Sequence, residues 1–241
     1  MNLAIDIGNT RVKIAMFEGT ELKLVEFFLF REKGLINEFI NKCKVQRAII
    51  SAVVDDVSSI VDNMKSHGVD VIEFNSTTKI PIGNLYKTAS TLGNDRIPSV
   101  IAAHSLQPAQ NLLVIDAGTC IKYNFLSESG DFLGGAISPG LKMRFKALHT
   151  FTSRLPLIET DQTFEKLIGT DTRESILAGV QSAAVAEVNE MIAQYGQQFS
   201  DLNVFLTGGD SAFFEKRLKN TIFADPNLVL IGLNIILNYN A

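Results

Sequence analysis

The chain has 241 residues, 46% of them hydrophobic, with 22 basic and 26 acidic side chains and a net charge of −4. That length suits one large domain or two moderate ones, since a single core stops growing near ~250–300 residues. The mild acidity, without any strongly basic stretch, argues against charge-driven nucleic-acid binding. No apolar run reaches the ~18–20 residues that span a bilayer, and no secretory leader pattern opens the sequence. The expectation is a cytoplasmic protein with neither membrane nor nucleic acid as partner. Cys43 and Cys120 lie far apart and are expected to be reduced, and the three histidines form no cluster.

The opening, Leu3-Ala4-Ile5-Asp6-Ile7-Gly8-Asn9-Thr10-Arg11-Val12-Lys13, is an apolar strand that ends at an aspartate and turns at a glycine. Val12, Ile14 and Met16 then alternate as in a returning strand. Two readings stand side by side here. One is an ordinary hairpin. The other is a ligand turn, with Asp6 holding a hydrated metal and Thr10, Lys13 and backbone amides facing phosphate. Glu21 to Phe30 predicts a third strand and Gly34 to Lys44 a helix. Arg47 to Val53 reads as a buried parallel strand, Asp55 to His67 as a helix stopped by Gly68, and Val69 to Phe74 as a strand. Asn75 to Gly93 is a polar loop, followed by Leu92-Gly93-Asn94-Asp95-Arg96 and an apolar helix to Leu106. Asp95 suits either a helix cap or an acidic residue at a helix start, where anions also bind.

Leu112 to Cys120 repeats the opening. Leu3, Ile5, Asp6 and Gly8 return as Leu113, Ile115, Asp116 and Gly118, offset by 116 − 6 = 110 residues. Both copies lead into a second strand, Lys13 to Phe17 and Tyr123 to Leu126. Duplication is the better explanation, with halves at 1–111 and 112–241 and a ligand cleft between them; two copies are too few for a solenoid. The second half adds Gly134-Gly135-Ala136-Ile137-Ser138-Pro139-Gly140, then a helix from Leu141 to His149. A long alanine-rich helix runs from Arg173 to about Gln194 with Thr172 as N-cap. A strand follows over Asn203 to Thr207, a Gly208-Gly209-Asp210 turn, a strand near Ile222, and an apolar closing helix over Asn227 to Asn238.

Two Asp-x-Gly hairpins supply two carboxylates and two sets of amides, which suits a nucleoside triphosphate with Mg²⁺. Phosphoryl transfer asks mainly for positioning and charge stabilisation. The P-loop pattern, the G-x-G-x-x-G fingerprint and the Gly-x-Ser-x-Gly elbow are all missing from the sequence.

The duplicated hairpins resemble the actin, Hsp70 and sugar-kinase superfamily. Within it, Asp6 to Thr10 with Lys13, Leu92 to Arg96, Asp116 to Thr119 and Gly134 to Leu141 resemble type III pantothenate kinase. Asn84-x-Tyr86, Thr172, Thr207-Gly208-Gly209 and Gly232-Leu233-Asn234 extend the match over essentially the whole chain. The resemblance implies an α/β fold of duplicated ribonuclease H-like (actin-like ATPase) subdomains, with mixed sheets flanked by helices. It implies ATP-dependent phosphorylation of pantothenate to 4'-phosphopantothenate, the first step of coenzyme A biosynthesis, by a homodimer. On this resemblance Asp6, Ile7, Gly8, Asn9, Thr10, Arg11, Val12 and Lys13 bind ATP phosphates, Asp6 holds Mg²⁺ through water, and Thr119 contacts ATP. Asp95 is the catalytic base. Tyr86, Gly93, Asn94, Asp95, Arg96 and Thr172 hold the substrate, with Thr172 at the dimer interface. Asp116 binds a monovalent cation, K⁺ or NH₄⁺. A regulatory nucleotide-binding protein of the same fold, or a kinase for another hydroxy acid or a sugar, are the competing expectations.

One departure stands out. The family commonly has Asp-x-Gly-Thr-Ala-x-Thr where this chain has Asp116-Ala117-Gly118-Thr119-Cys120-Ile121-Lys122. Lys122 either weakens or replaces the monovalent-cation requirement, or points to solvent or to a partner subunit.

Overall fold

The computed structural model describes residues 1–8, 11–53 and 57–241. The chain divides into two compact units. The first comprises 1–108, 130–132 and 227–241, and the second 109–129 and 133–226.

The first unit is built on a five-stranded sheet. Its strands are β1 (Asn2–Ile7), β2 (Arg11–Glu18), β3 (Glu21–Leu29), β4 (Arg47–Ala52) and β5 (Asp70–Glu73), in the order β3-β2-β1-β4-β5. β1 and β2 form the expected antiparallel hairpin, and β4 lies parallel to β1 on its other side. β1 is central, so alternate faces are both covered, and Leu3, Ile5 and Ile7 are fully buried. Burying one such side chain contributes roughly 1.5–3 kcal/mol. The crossover helices are α1 (Lys33–Lys42) and α2 (Ser58–Ser66). They cover the sheet with Ile36, Ile40, Ile60, Val61 and Met64, the apolar positions that repeat at helical spacing. The predicted helix start at Asp55 lies outside the described residues.

The second unit repeats the plan. Its strands are β7 (Leu112–Ala117), β8 (Cys120–Leu126), β9 (Asp131–Pro139, whose first two residues count with the first unit), β10 (Asn203–Thr207) and β11 (Phe223–Ala224). They run in the order β11-β10-β7-β8-β9. Again the first strand is central, the second is its antiparallel partner and the fourth lies parallel to it. Strand for strand, β3-β2-β1-β4-β5 and β9-β8-β7-β10-β11 are the same arrangement, so the duplication seen in four residues extends to the topology.

The repeat is not uniform in register. Ile7 faces Val12 across the first hairpin, with four residues between them, whereas Ala117 faces Ile121, with three. The second turn is one residue shorter. The offset of 110 therefore holds for the first strands only. The counterpart of Lys13 is Lys122 rather than Tyr123, because Asp6 faces Lys13 and Asp116 faces Lys122.

Two helices complete the first unit, α3 (Arg96–Leu106) and α8 (Leu228–Tyr239), packed on one another. The halves expected at 1–111 and 112–241 differ from the compact units chiefly in this closing helix, and also at 109–111 and 130–132. α8 is apolar on nearly every side, burying Leu228, Val229, Leu230, Leu233, Ile236 and Leu237, so it must be enclosed. Asn234 fixes its register by donating to the Gly19 carbonyl at 2.9 Å and accepting from Asn2 at 3.0 Å. In the expected loop between β5 and α3, β6 (Gly83–Asn84) pairs with Asp131 and Phe132.

The long helix of the second unit is continuous over three segments: α5 (Thr172–Leu177), a π-helical stretch at Ala178–Ser182, and α6 (Ala183–Gln198). Its N-cap is Asp171, not Thr172. The Asp171 carboxylate accepts from the Glu174 amide at 2.8 Å, and Thr172 is the first helical residue. Among neighbouring candidates a carboxylate is the better cap, because it also meets the positive helix end.

Candidate active site

In the first unit the site is built at the carboxyl ends of β1 and β4. Parallel strands place loops there, and ligands bind where such loops gather. Asp6 is half-buried near the end of β1, opposite Lys13. The Gly8 amide donates to the Arg11 carbonyl at 2.9 Å, closing the turn. Asn9 and Thr10 lie outside the described residues. Ile7 and Val12 turn fully buried side chains into the core, so any ligand contact they make is through backbone. Arg11 is exposed and Lys13 half-buried.

The Gly93–Arg96 turn is tied to the same strand ends. The Val53 amide donates to the Ile7 carbonyl at 3.0 Å, and the Asn94 side chain donates to the Ala52 carbonyl at 3.3 Å. Residues 53 − 7 = 46 and 94 − 52 = 42 positions apart in sequence thus meet within one unit. Asp95 stands at the N-cap position of α3, but its side chain makes no capping hydrogen bond. Its Oδ1 instead reaches over Gly93, 3.1 Å from where a β-carbon would project. Of the two readings of Asp95, the structural cap is therefore not the one its carboxylate serves.

Arg96 is only 3% exposed. Its guanidinium lies 5.6 Å from the Tyr86 ring centre and 5.7 Å from that of Phe132. Two aromatic faces hold the planar fork in one orientation. The sequence points to Tyr86 but not to Phe132. It arrives through β6, where the Leu85 amide donates to the Phe132 carbonyl at 3.0 Å. The two-residue pairing of β6 leaves too short an alternation to be read from sequence.

In the second unit the shorter hairpin is ringed by glycines. A β-carbon at Gly208, whose φ is +97°, would lie 2.3 Å from the Ala117 carbonyl oxygen and 2.5 Å from Asp116 Oδ1. One at Gly140 would lie 2.0 Å from the Gly118 carbonyl oxygen. The Asp210 amide donates to the Ala117 carbonyl at 2.8 Å. Backbone is thereby packed on backbone, and Gly209 beside it faces open space. Thr119 is exposed at the hairpin tip. A collar of this kind lets a flat ligand approach main-chain atoms closely.

Lys122 Nζ lies 2.6 Å from Asp116 Oδ2, with both side chains largely buried, 16% and 12% exposed. The carboxylate that the resemblance gives to a monovalent cation already meets an ammonium tethered to the chain. These residues do not fit a second monovalent cation at that oxygen. Asp6, a half-buried carboxylate near the end of β1, suits Mg²⁺ bound through water, since that ion keeps several waters and needs few protein ligands. Among the described residues no group of three or more His, Cys, Asp or Glu could hold a metal by itself.

Thr172 is exposed at the edge of an apolar groove lined by Leu148, Phe151, Leu155 and Ile176. Nearby, Phe151 is 86%, Leu167 79% and Ile168 77% exposed. No helix among the described residues is long and apolar enough to cross a membrane.

Two units on one strand order, each opening with an Asp-ended hairpin, are the fold of the actin-like sugar kinases. A ROK family glucokinase from Streptomyces griseus, solved with glucose and AMPPNP, shares it with a TM-score of 0.52 at 12% identity, covering 99% of each chain. A Campylobacter jejuni protein assigned to the Baf family of transcriptional activators shares it with a TM-score of 0.65 at 20% identity, covering 99% of this chain and 98% of that one.

Sequence comparison narrows the class. The family model for type III pantothenate kinase matches residues 2–194. The type III pantothenate kinase of Bacteroides fragilis is 45% identical over 240 residues, covering 100% of this chain and 98% of its own. That of Christiangramia forsetii is 42% identical over 243 residues, covering 100% and 99%. The chain belongs to the type III pantothenate kinase family.

Proposed function

We propose that this enzyme transfers the γ-phosphoryl group of ATP to the primary hydroxyl of pantothenate, giving 4'-phosphopantothenate for coenzyme A synthesis. The observation that carries the residue assignment is the tie of Asn94 to Ala52 beside Ile7. It supports an acceptor turn held next to a phosphate hairpin.

Asp6 to Lys13 grip the ATP phosphates, with Lys13 offsetting their charge. Mg²⁺ held through water by Asp6 would neutralise charge on the phosphate oxygens. Asp95 accepts a hydrogen bond from the acceptor hydroxyl and aligns it. As the new O–P bond forms and the bond to the ADP oxygen breaks, the hydroxyl proton passes to the Asp95 carboxylate. A positioned base of this kind contributes about 10²–10⁴-fold. Arg96, fixed by its two rings, meets the substrate carboxylate bidentately. Tyr86, Gly93 and Asn94 shape the same pocket, and Thr119 contacts the nucleotide. The protein acts in the cytoplasm, where ATP and a small-molecule acceptor are available.

The test is purified protein with ATP-Mg²⁺ and a panel of hydroxylated acceptors, followed by mass spectrometry of the products. Phosphorylation of pantothenate above the other acceptors is expected. Preference for a sugar or another hydroxy acid would reassign the substrate.

We also propose a homodimer in which a second copy covers the groove beside Thr172, making Thr172 part of a substrate site at the interface. Three large apolar side chains as exposed as Phe151, Leu167 and Ile168 support this reading. In light scattering the wild type is expected at twice the chain mass. L167D/I168D should run as a monomer with a raised KM for pantothenate.

A further inference from the structure

We infer that Lys122 is the resident cation of the second hairpin, so that ATP binding does not depend on an added monovalent cation. The inference deepens the kinase reading and rests on it.

Three observations converge. The pair is close and largely withdrawn from water, with Lys122 Nζ 2.6 Å from Asp116 Oδ2 and exposures of 16% and 12%. Taking two charges out of water is costly, so such a pair is a poor way to gain stability. The pair also sits where the chain has given up side chains. Gly208 and Gly140 press backbone against the hairpin, and a β-carbon at Gly208 would lie 2.5 Å from the other oxygen of Asp116. Asp116 is thus held between an ammonium on one oxygen and a close-packed glycine turn at the other. Finally, the hairpin register sets Lys122 opposite Asp116 as it sets Lys13 opposite Asp6. The duplication has supplied each aspartate with a facing ammonium.

An ammonium at this point balances the carboxylate beside the exposed tip at Thr119 and Gly209. A polyanion approaching that tip then meets a neutral pair instead of an uncompensated buried carboxylate. Removing the ammonium leaves Asp116 poorly hydrated and unbalanced, and such a carboxylate recruits a cation from solution. Free NH₄⁺ is the nearest chemical replacement. Lys122 is a positioning residue in this account, since it acts through Asp116.

The experiment is ATP affinity by calorimetry, with Mg²⁺, in choline, potassium and ammonium chloride at one ionic strength. The thermal midpoint with ATP is recorded in parallel. For the wild type the three salts should give affinities within about twofold. K122A should bind about tenfold or more weakly in choline and recover in ammonium or potassium, since breaking a buried pair strands its partner. K122R should remain indifferent to the salt. K122A/D116N, which removes the stranded carboxylate too, should lose the salt response.

A wild type that loses about tenfold in affinity when potassium and ammonium are replaced by choline overturns the inference. So does a K122A that matches the wild type in every salt, or a K122A/D116N that still responds to potassium. If K122A does not fold, the wild-type comparison decides alone. Because the readout is ATP binding, failure to phosphorylate pantothenate would overturn the proposed function and leave this result standing.

Discussion

The two units share a strand order, a hairpin and a facing Asp–Lys pair, yet they spend their helix-start aspartates differently. In the second unit Asp171 accepts from the Glu174 amide at 2.8 Å and closes the first turn of α5. In the first unit Asp95 occupies the same position on α3 and makes no such bond. One carboxylate is consumed by its helix, and the other lies over an exposed glycine beside the ends of β1 and β4. Duplication supplies a scaffold, and the acceptor chemistry is proposed for one copy only, where the helix-start carboxylate makes no capping bond.

The largest effect should come from the carboxylate that does not cap its helix. Asp95→Asn removes the proposed base while keeping shape and polarity. kcat should fall about 10²–10⁴-fold, with the thermal midpoint close to wild type. Asp171→Ala should do the reverse. Loss of a cap costs about 0.5–2 kcal/mol, so the midpoint should drop by a few degrees while kcat per folded molecule stays within the wild-type range. Near-normal turnover in Asp95→Asn would break the contrast.

An intermediate effect should separate the two hairpins. Gly208→Ala forces a β-carbon to within 2.3 Å of the Ala117 carbonyl oxygen at a φ of +97°. Strain of this kind costs about 1–3 kcal/mol, and ATP affinity should fall because the hairpin must shift. Gly209→Ala has room for its β-carbon, so stability should hold while ATP affinity falls. Calorimetry with a melting curve distinguishes the two. Unchanged ATP affinity in both variants would remove the glycine collar from the nucleotide site.

Much of this was legible in sequence because strands and hairpins are local. The alternation in β2 and the apolar run of β4 mark those strands, and the repeated Asp-x-Gly announces the duplication. What escaped depends on register or on distant contacts. The shorter second turn slides its returning strand by one residue, so Lys122 rather than Tyr123 faces the aspartate. Phe132 reaches Arg96 only through a two-residue strand. α8 ends the sequence yet packs with α3, since an all-round apolar helix follows burial, not chain order. Thr172 and Asp171 are adjacent and both are capping types. Only geometry shows which one bonds the Glu174 amide.

The smallest effect tests by acid a second carboxylate at the start of α5, that of Glu174. The Lys166 ammonium, followed by the Thr170 amide and hydroxyl, holds the Glu174 carboxyl at about 2, well below its ordinary 4.5. The Thr163 hydroxyl and amide, with Arg173, likewise hold Asp161 at about 2. A carboxyl depressed on folding stabilises fully above its unfolded value and loses that contribution as pH falls through its folded value. The loss should therefore run between about pH 4.5 and pH 2. Glu174→Gln cannot carry the charge, so its melting temperature should lie slightly below wild type at neutral pH. The gap should close as the pH nears 2. Both groups lie near the surface, and salt should narrow the gap at every pH. A gap that persists unchanged into acid would mean that Glu174 supports the start of α5 through shape alone. The Lys166–Glu174 ion pair would then contribute nothing to that start, and the contrast with α3 would rest on the Asp171 cap alone.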